Sequence, residues 1–213
     1  MQTDQLIDQL SQGLRPVLRH ALAARLGIAL TLGAAAAFAF LLATLGVRPD
    51  FGAASATAPF WMKWAFTLGV ACASFLIVRR LGQPDVGIGW RWLGLITPFA
   101  VGLMMGIGEL MLAPPEQRGA LVLGRTAPIC SVAIVGLAVP VFAGLIWAFG
   151  RLAPTKPVVA GAMAGVLASS LAASVYAFTC PEQTVAFMIT WYTLGMAACA
   201  VAGAFAGKRW LQW

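Results

Sequence analysis

The thiols are the side chains of this sequence with the clearest capacity for chemistry. Four of the 213 residues are cysteines: Cys72, Cys130, Cys180 and Cys199. A thiolate binds soft metal ions and is readily oxidised to a disulfide. The sequence has no Cys-x-x-Cys pair, which argues against a disulfide-exchanging oxidoreductase. Because His20 is the sole histidine, no zinc site or catalytic centre built on several histidines can be assembled.

Six long apolar segments must position these thiols. Each has about 20 residues, which is the length a helix needs to cross the hydrocarbon core. The chain is 61% hydrophobic and only 10% charged, with mean hydropathy +0.87, whereas soluble domains carry about 25% charged residues. We therefore predict an all-α integral membrane protein, a bundle of six transmembrane helices. The predicted spans within a 26–206 membrane domain are Leu26–Gly46, Phe60–Val78, Leu93–Leu112, Ile129–Gly150, Val158–Phe178 and Val185–Ala206.

The distribution of charge predicts how the bundle is oriented. Most of the 14 basic residues fall in the N-terminal segment, the second and fourth connections and the C-terminus. Short loops rich in Lys and Arg stay in the cytoplasm, so both termini, including the tail 207–213, are expected there. The formal net charge of +7 is then a signal of topology, and it does not indicate nucleic-acid binding. The expected location is the inner membrane of a bacterium.

Two of the cysteines are expected at the outer face. Cys130 begins the fourth span, and Cys180 ends the fifth and precedes Pro181. In the oxidising periplasm they could form a structural disulfide, act as a redox-sensitive or metal-sensitive pair that binds a thiophilic metal transiently, or stay separate and inert. Cys72 and Cys199 lie near the middle of their spans and are expected to serve as small, buried apolar side chains.

Few other polar groups lie near the outer face or inside the spans. Arg48, Asp50, Glu109 and Glu182 are candidate polar partners there. Glu109 either extends its carboxylate to the interface or has a pairing role near the outer loops. The spans contain only two formal charges, Lys63 and Glu109, so a coupled transporter with an ion path is disfavoured. No phosphate-binding loop or nucleophile motif occurs, and we expect neither a cofactor nor enzymatic activity.

Small residues four apart predict where the helices approach closely. Gly102/Gly106, Gly161/Gly165 and Gly203/Gly207 have this spacing, and Gly33/Ala37 is a weaker case. Such pairs let helix backbones pack without a hydrophobic driving force. We expect packing within one bundle, and a homodimer contact is the alternative.

The N-terminal segment, residues 1–25, has an amphipathic pattern. Its apolar stripe recurs at three- and four-residue steps, and Pro16 divides it into two helical pieces. The first piece is acidic, whereas a helix that lies on a membrane usually carries basic residues, so a protein partner is favoured over the lipid surface. The candidate binding residues are Asp4, Leu6, Ile7, Leu10, Leu14, Pro16 and Val17.

With these residues in view, the chain resembles the NrsF family of bacterial membrane anti-sigma factors. The likeness covers nearly the whole length, and its order and spacing are more specific than any single piece. It is carried by Thr3-Asp4-x-Leu6-Ile7-x-x-Leu10, Leu14-x-Pro16-Val17, Leu45-Gly46-x-Arg48-Pro49-Asp50, Pro59-Phe60-Trp61-x-Lys63, Glu109-x-x-Leu112-Ala113-Pro114, Cys130, Arg151-Leu152-Ala153-Pro154-Thr155, Cys180-Pro181-Glu182 and Trp191-Tyr192-x-Leu194-Gly195.

The resemblance implies a regulatory function. The N-terminal segment would sequester an extracytoplasmic-function sigma factor of the sigma-F type, and Cys130 and Cys180 would form a periplasmic pair that senses heavy metals or oxidative stress. The alternatives are a small membrane transporter or metal exporter, and a membrane protein with thiol-redox activity. The sequence alone identifies neither the inducing metal nor the resting state of the thiols.

Overall fold

The computed structural model describes residues 21–82, 89–150 and 154–211 of the chain. The described part is helical and contains eight α-helices, which we number in chain order. They are α1 (Ala21–Thr44), α2 (Phe51–Ser55), α3 (Ala58–Leu81), α4 (Arg91–Leu112), α5 (Pro115–Leu123), α6 (Ala127–Phe149), α7 (Pro157–Tyr176) and α8 (Val185–Trp210).

The six long helices are apolar and long enough to cross a membrane, and they confirm the predicted six-helix membrane bundle. Each lies over one predicted span, with ends that differ by a few residues; α8 continues to Trp210, four residues beyond the predicted end at Ala206. The two short helices, α2 and α5, were not predicted. They are shorter than a membrane span, and Pro115 at the start of α5 favours a first helical turn without revealing that a helix follows.

Helix α7 lies at the centre of the bundle. It packs against α3, α6 and α8, whereas α4 lies at the rim and exposes most of its apolar side chains. The reason is in the composition of α7, which consists largely of Ala, Gly and Ser and so lets three neighbours approach its backbone. The helix is therefore buried on nearly all of its faces.

The glycine pairs pack within the bundle, as predicted. A Cβ atom at Gly161 would lie 2.1 Å from the carbonyl oxygen of Gly203, and one at Gly207 would lie 2.2 Å from that of Pro157. These contacts join the start of α7 to the end of α8, so the two helices are antiparallel. In the same way, a Cβ atom at Gly33 of α1 would lie 2.6 Å from the Cα atom of Val141 in α6.

The connections between helices gather at the two ends of the bundle. We call the end formed by residues 45–57, 113–126 and 177–184 the thiol end, and the opposite end the basic end. The thiol end is held by contacts between connections: Arg48 N donates to Phe178 O at 3.3 Å, and Thr184 Oγ1 donates to Leu121 O at 2.9 Å. Basic side chains such as Arg79 and Lys208 lie in the last turns of their helices at the basic end.

One expectation about the mid-span thiols is wrong. Cys199 is buried, but Cys72 is exposed on the surface of the bundle. Position along an apolar span gives depth in the membrane, but it does not say which face of the helix a residue occupies. Cys72 lies on a face of α3 that stays exposed among the described residues, whereas Cys199 lies on a face of α8 that its neighbours cover.

Candidate functional site: a buried thiol pair at one end of the bundle

The structure brings Cys130 and Cys180 together. Cys130 lies in the first turn of α6, and Cys180 lies in the connection that follows α7. Both side chains are 0% exposed, and both are free thiols that hydrogen-bond to one another. Two thiols in contact at a helix end can be converted to a disulfide or can bind one soft metal ion without a large movement of the backbone.

The backbone after α7 fixes the position of Cys180. The amide of Cys180 donates to Tyr176 O at 3.0 Å, which continues the helical turn for one more bond. Pro181 has no amide hydrogen and stops the turn there. The hydroxyl of Thr179 donates to Gly46 O at 2.6 Å, which ties this connection to the one that follows α1.

A lysine lies directly against the Cys180 sulfur. Lys63, near the start of α3, is only 3% exposed. Its ammonium group donates to the carbonyl oxygen of Cys180 at 3.4 Å and to that of Glu182, and it lies 3.8 Å from the Cys180 sulfur. In the sequence alone, Lys63 stands out only as a charge near the end of a span. A lone lysine inside an apolar run was the signal that it needed a partner.

The electrostatics of the site favour a thiolate at Cys180. The hydrogen bond from the Cys130 thiol, helped by the ammonium group of Lys63, lowers the pKa of Cys180 to about 6, although burial acts in the opposite direction. The hydroxyls of Tyr176 and Tyr192 lie beside the two thiols, and the tyrosine rings pack at a centroid distance of 6.2 Å. The pair is thus asymmetric, because the ammonium group of Lys63 is in direct contact with the Cys180 sulfur.

An ion pair supports the same connection from the side. Arg48 donates from Nε and Nη2 to the two carboxylate oxygens of Asp50, each at 2.6 Å, and from Nη1 to the carbonyl oxygen of Cys180 at 3.2 Å. The side-chain hydrogen bond between them lowers the pKa of Asp50 and raises that of Arg48. These two predicted polar residues therefore lie at the thiol site, and Arg48 touches it directly.

Glu182 and Glu109, the two glutamates among the predicted polar partners, accept hydrogen bonds where helices begin. Glu182 Oε1 accepts from the amide of Arg125 at 2.7 Å and from Thr126 Oγ1 at 3.3 Å, just before α6. Glu109 Oε2 accepts from the amide of Ala186 at 2.8 Å, in the first turn of α8. A carboxylate at a helix N-terminus satisfies free amides and the helix dipole. Glu109 thus has a polar partner in the protein, as one of the two expectations for it supposed.

Aromatic rings enclose the connection that carries Cys180. Phe178 stacks on Phe51 of α2 at 5.6 Å between centroids and meets Trp64 of α3 edge-on at 5.1 Å. It also contacts Phe38 of α1 at 5.6 Å. Helix α2, absent from the sequence prediction, thus forms part of the cover over this connection.

The other predicted site lies outside the described residues. The candidate binding residues of the N-terminal segment, from Asp4 to Val17, all precede Ala21, where the description begins. Within the described ranges, no group of three or more His, Cys, Asp or Glu side chains is arranged to hold a metal ion. The donors at the thiol pair are two sulfurs, which suit a soft, thiophilic ion.

Known proteins resemble this chain over its full length. Residues 10–213 match the family model described as negative regulator of sigma F, NrsF. The chain is 38% identical to the probable anti-sigma-F factor NrsF of Azospira oryzae and 34% identical to the anti-sigma-F factor NrsF of Caulobacter vibrioides, with 100% of both chains covered in each case. No solved structure matches the chain.

Proposed function

Since the chain belongs to the NrsF family of negative regulators of sigma F, we propose that it is a membrane anti-sigma factor controlled by its thiol pair. At rest it sequesters an extracytoplasmic-function sigma factor of the sigma-F type at the bacterial inner membrane. When a heavy metal or an oxidant reacts with Cys130 and Cys180, the sigma factor is released. The activity is regulatory and not enzymatic. The observation that carries the sensing step is the buried contact between two free thiols, one in α6 and one in the connection that follows α7.

The proposed orientation puts sensing and binding on opposite sides of the membrane. The thiol end faces the periplasm, and the N-terminal segment precedes α1 at the basic end, in the cytoplasm. This orientation is supported by the excess of Lys and Arg in the connections of the basic end. The apolar stripe of residues 1–25, with Leu6, Ile7, Leu10 and Leu14, then binds the sigma factor.

The packing of α1 suggests how the two sites are coupled. Cys130 is part of α6, and α6 is the main neighbour of α1. The two helices meet closely: a Cβ atom at Gly33 would lie 2.6 Å from Val141 Cα, and one at Gly144 would lie 3.2 Å from Ala29 O. Forming an S–S bond of about 2.05 Å draws the two sulfurs inside their hydrogen-bonding distance. Helix α6 then shifts, and α1 moves with it because the backbones of the two helices are already in close contact.

Coupling of this kind needs little energy. A tenfold change in sigma-factor affinity corresponds to about 1.4 kcal/mol between the two states of the bundle. That is comparable to the free energy of one good interhelical contact. A modest repacking of α6 against α1 and α7 is therefore sufficient for release.

Co-purification tests the proposal. The protein is expressed in membranes together with a sigma factor of the sigma-F type from the same bacterium, and the complex is isolated before and after exposure to a thiophilic metal ion. We expect a complex that dissociates on treatment in the wild type and persists in a Cys130→Ser, Cys180→Ser variant. A Cys72→Ser, Cys199→Ser variant is the matched control and should respond as the wild type does.

A second pair of variants tests the binding segment. Leu10→Asp with Leu14→Asp should abolish the complex without affecting the reactivity of the thiols, because the substitutions precede α1 in the chain, and α1 begins at the basic end. If no sigma factor co-purifies under any condition, the anti-sigma function is wrong for this chain. If the wild-type complex forms but does not dissociate when the metal is added, the sensing role of the thiols is wrong.

A further inference from the structure

Lys63 is a buried cation without an acidic partner among the described residues. The nearby carboxylates are engaged elsewhere: Asp50 pairs with Arg48, and Glu182 accepts from Arg125 N and Thr126 Oγ1. The ammonium group of Lys63 is instead held by two backbone carbonyls and a sulfur atom. A charge in such a position costs several kcal/mol unless polar contacts offset it. A methionine would fill the same space without this cost, so packing alone does not explain a lysine here.

The contacts of Lys63 span both ends of the three residues that carry Cys180. One contact is to the carbonyl oxygen of Cys180 and another to that of Glu182, with Pro181 between them. Pro181, between these two carbonyls, has no amide hydrogen to donate within the turn. The ammonium group thus fastens the turn to α3 and sets where the Cys180 sulfur lies relative to Cys130.

We propose that Lys63 is the third member of the sensor: a positioning residue that holds Cys180 against Cys130 and directs the first reaction to the Cys180 sulfur. This inference rests on the proposed sensing by the thiol pair and goes beyond it by assigning the order of reaction. Negative charge on the Cys180 sulfur is stabilised by an ammonium group at 3.8 Å, whereas no cation has a comparable contact with the Cys130 sulfur among the described residues.

With a peroxide as the oxidant, the order of steps is as follows. The Cys180 thiolate attacks one peroxide oxygen, the O–O bond breaks, and hydroxide leaves, which gives a sulfenic acid at Cys180. The Cys130 thiol then attacks the Cys180 sulfur, the S–O bond breaks, and water leaves as the disulfide forms. The hydroxide takes up the proton that Cys180 lost on forming the thiolate. In sum, the two thiols lose two electrons, and hydrogen peroxide is reduced to two water molecules. Lys63 keeps its proton throughout.

The test uses the full-length, reduced protein in detergent. Hydrogen peroxide is added, free thiols are blocked with N-ethylmaleimide at intervals, and the Cys130–Cys180 disulfide is quantified by peptide mass spectrometry. We expect Lys63→Met to form the disulfide about tenfold more slowly than the wild type, as loss of a charged hydrogen-bonding group implies. Lys63→Arg should recover most of the rate. Lys156→Met, which removes an exposed lysine, is the matched control and should not change it.

The order of reaction is read in variants that keep only one cysteine of the Cys130/Cys180 pair. Dimedone, which traps sulfenic acids, should label Cys180 in a Cys130→Ser protein at least tenfold faster than Cys130 in a Cys180→Ser protein. Lys63→Met should remove this difference. Labelling of the buried Cys199 thiol by N-ethylmaleimide reports on the fold, and its rate should equal that of the wild type in every Lys63 variant.

Each outcome separates the inference from the proposed function. Equal disulfide rates in the wild type and Lys63→Met, or faster trapping at Cys130, would overturn the role of Lys63 while leaving the sensor intact. If the wild type forms no disulfide at all, the oxidant-sensing function itself fails. Should Lys63→Met expose Cys199, Lys63→Gln replaces it, because Gln keeps a donor for the carbonyls but carries no charge. A wild-type dimedone rate in Lys63→Gln would then overturn the electrostatic part.

Discussion

Replacing Gly161 by alanine should separate the two central helices of the bundle. The added methyl group would lie 2.1 Å from Gly203 O and 2.8 Å from the Cα atom of Gly207, whereas real Cβ atoms essentially never approach within 3.0 Å. Both obstacles are backbone atoms, so no side chain can rotate away. Helices α7 and α8 must therefore move apart by roughly 1 Å, which loses packing along the whole interface.

The cost can be estimated from known magnitudes. Overpacking of this kind costs about 1–3 kcal/mol, and the better helix propensity of alanine returns about 0.5–1 kcal/mol. We expect a net loss of about 1–2 kcal/mol, which for a chain of this size lowers the melting temperature by about 2–8 °C. Gly136→Ala is the matched control, because a Cβ atom there meets nothing within 4 Å. It should leave the melting temperature unchanged or raise it slightly.

The assay is thermal unfolding in detergent, followed by tryptophan fluorescence, with maleimide labelling of Cys199 as a local readout. Cys199 O lies against Gly165 in the same interface, so this thiol should become more reactive in Gly161→Ala. A Gly161→Ala protein as stable as Gly136→Ala, with Cys199 still protected, would show that α7 and α8 do not pack as described.

Three further predictions concern the thiol end and the core. Glu182→Ala should lower stability by about 0.5–2 kcal/mol in the same melting assay, because it leaves the Arg125 amide and the Thr126 hydroxyl, just before α6, without their acceptor. An unchanged melting temperature would contradict this role. Thr67 and Ser174 share a buried hydrogen bond of 2.9 Å between α3 and α7. In a double-mutant cycle, Thr67→Val and Ser174→Ala together should therefore lower the free energy of unfolding by less than the sum of the single variants. Strict additivity would exclude the bond. The rate of alkylation of Cys180 by iodoacetamide should stay near its maximum at pH 7 and fall as the pH drops through about 6. The reason is that the lowered pKa of Cys180 leaves the reactive thiolate populated down to that range. A rate profile with its midpoint above pH 8 would refute this prediction.

The sequence determined the class of fold because the membrane constrains it so strongly. A helix that spans lipid must satisfy its own backbone and be about 20 residues long, so apolar runs identify the six helices directly. Pairs such as Gly161/Gly165 predicted close packing because a missing side chain permits backbone contact whichever helix is the partner. The depth of Cys130 and Cys180 followed from their positions at the ends of two spans.

Only the tertiary structure decided which faces of the helices meet. Cys72 and Cys199 both lie near the middle of their spans, yet Cys72 is exposed and Cys199 is buried. The difference arises because packing against neighbouring helices sets the rotation of each helix about its axis. Nothing local joins Lys63 to Cys180, which is 117 residues away. Their contact exists because α3 and α7 pack antiparallel and the turn after α7 folds over the start of α3. The sequence therefore supplied the two thiols and their depth, and the packing supplied the cation beside one of them.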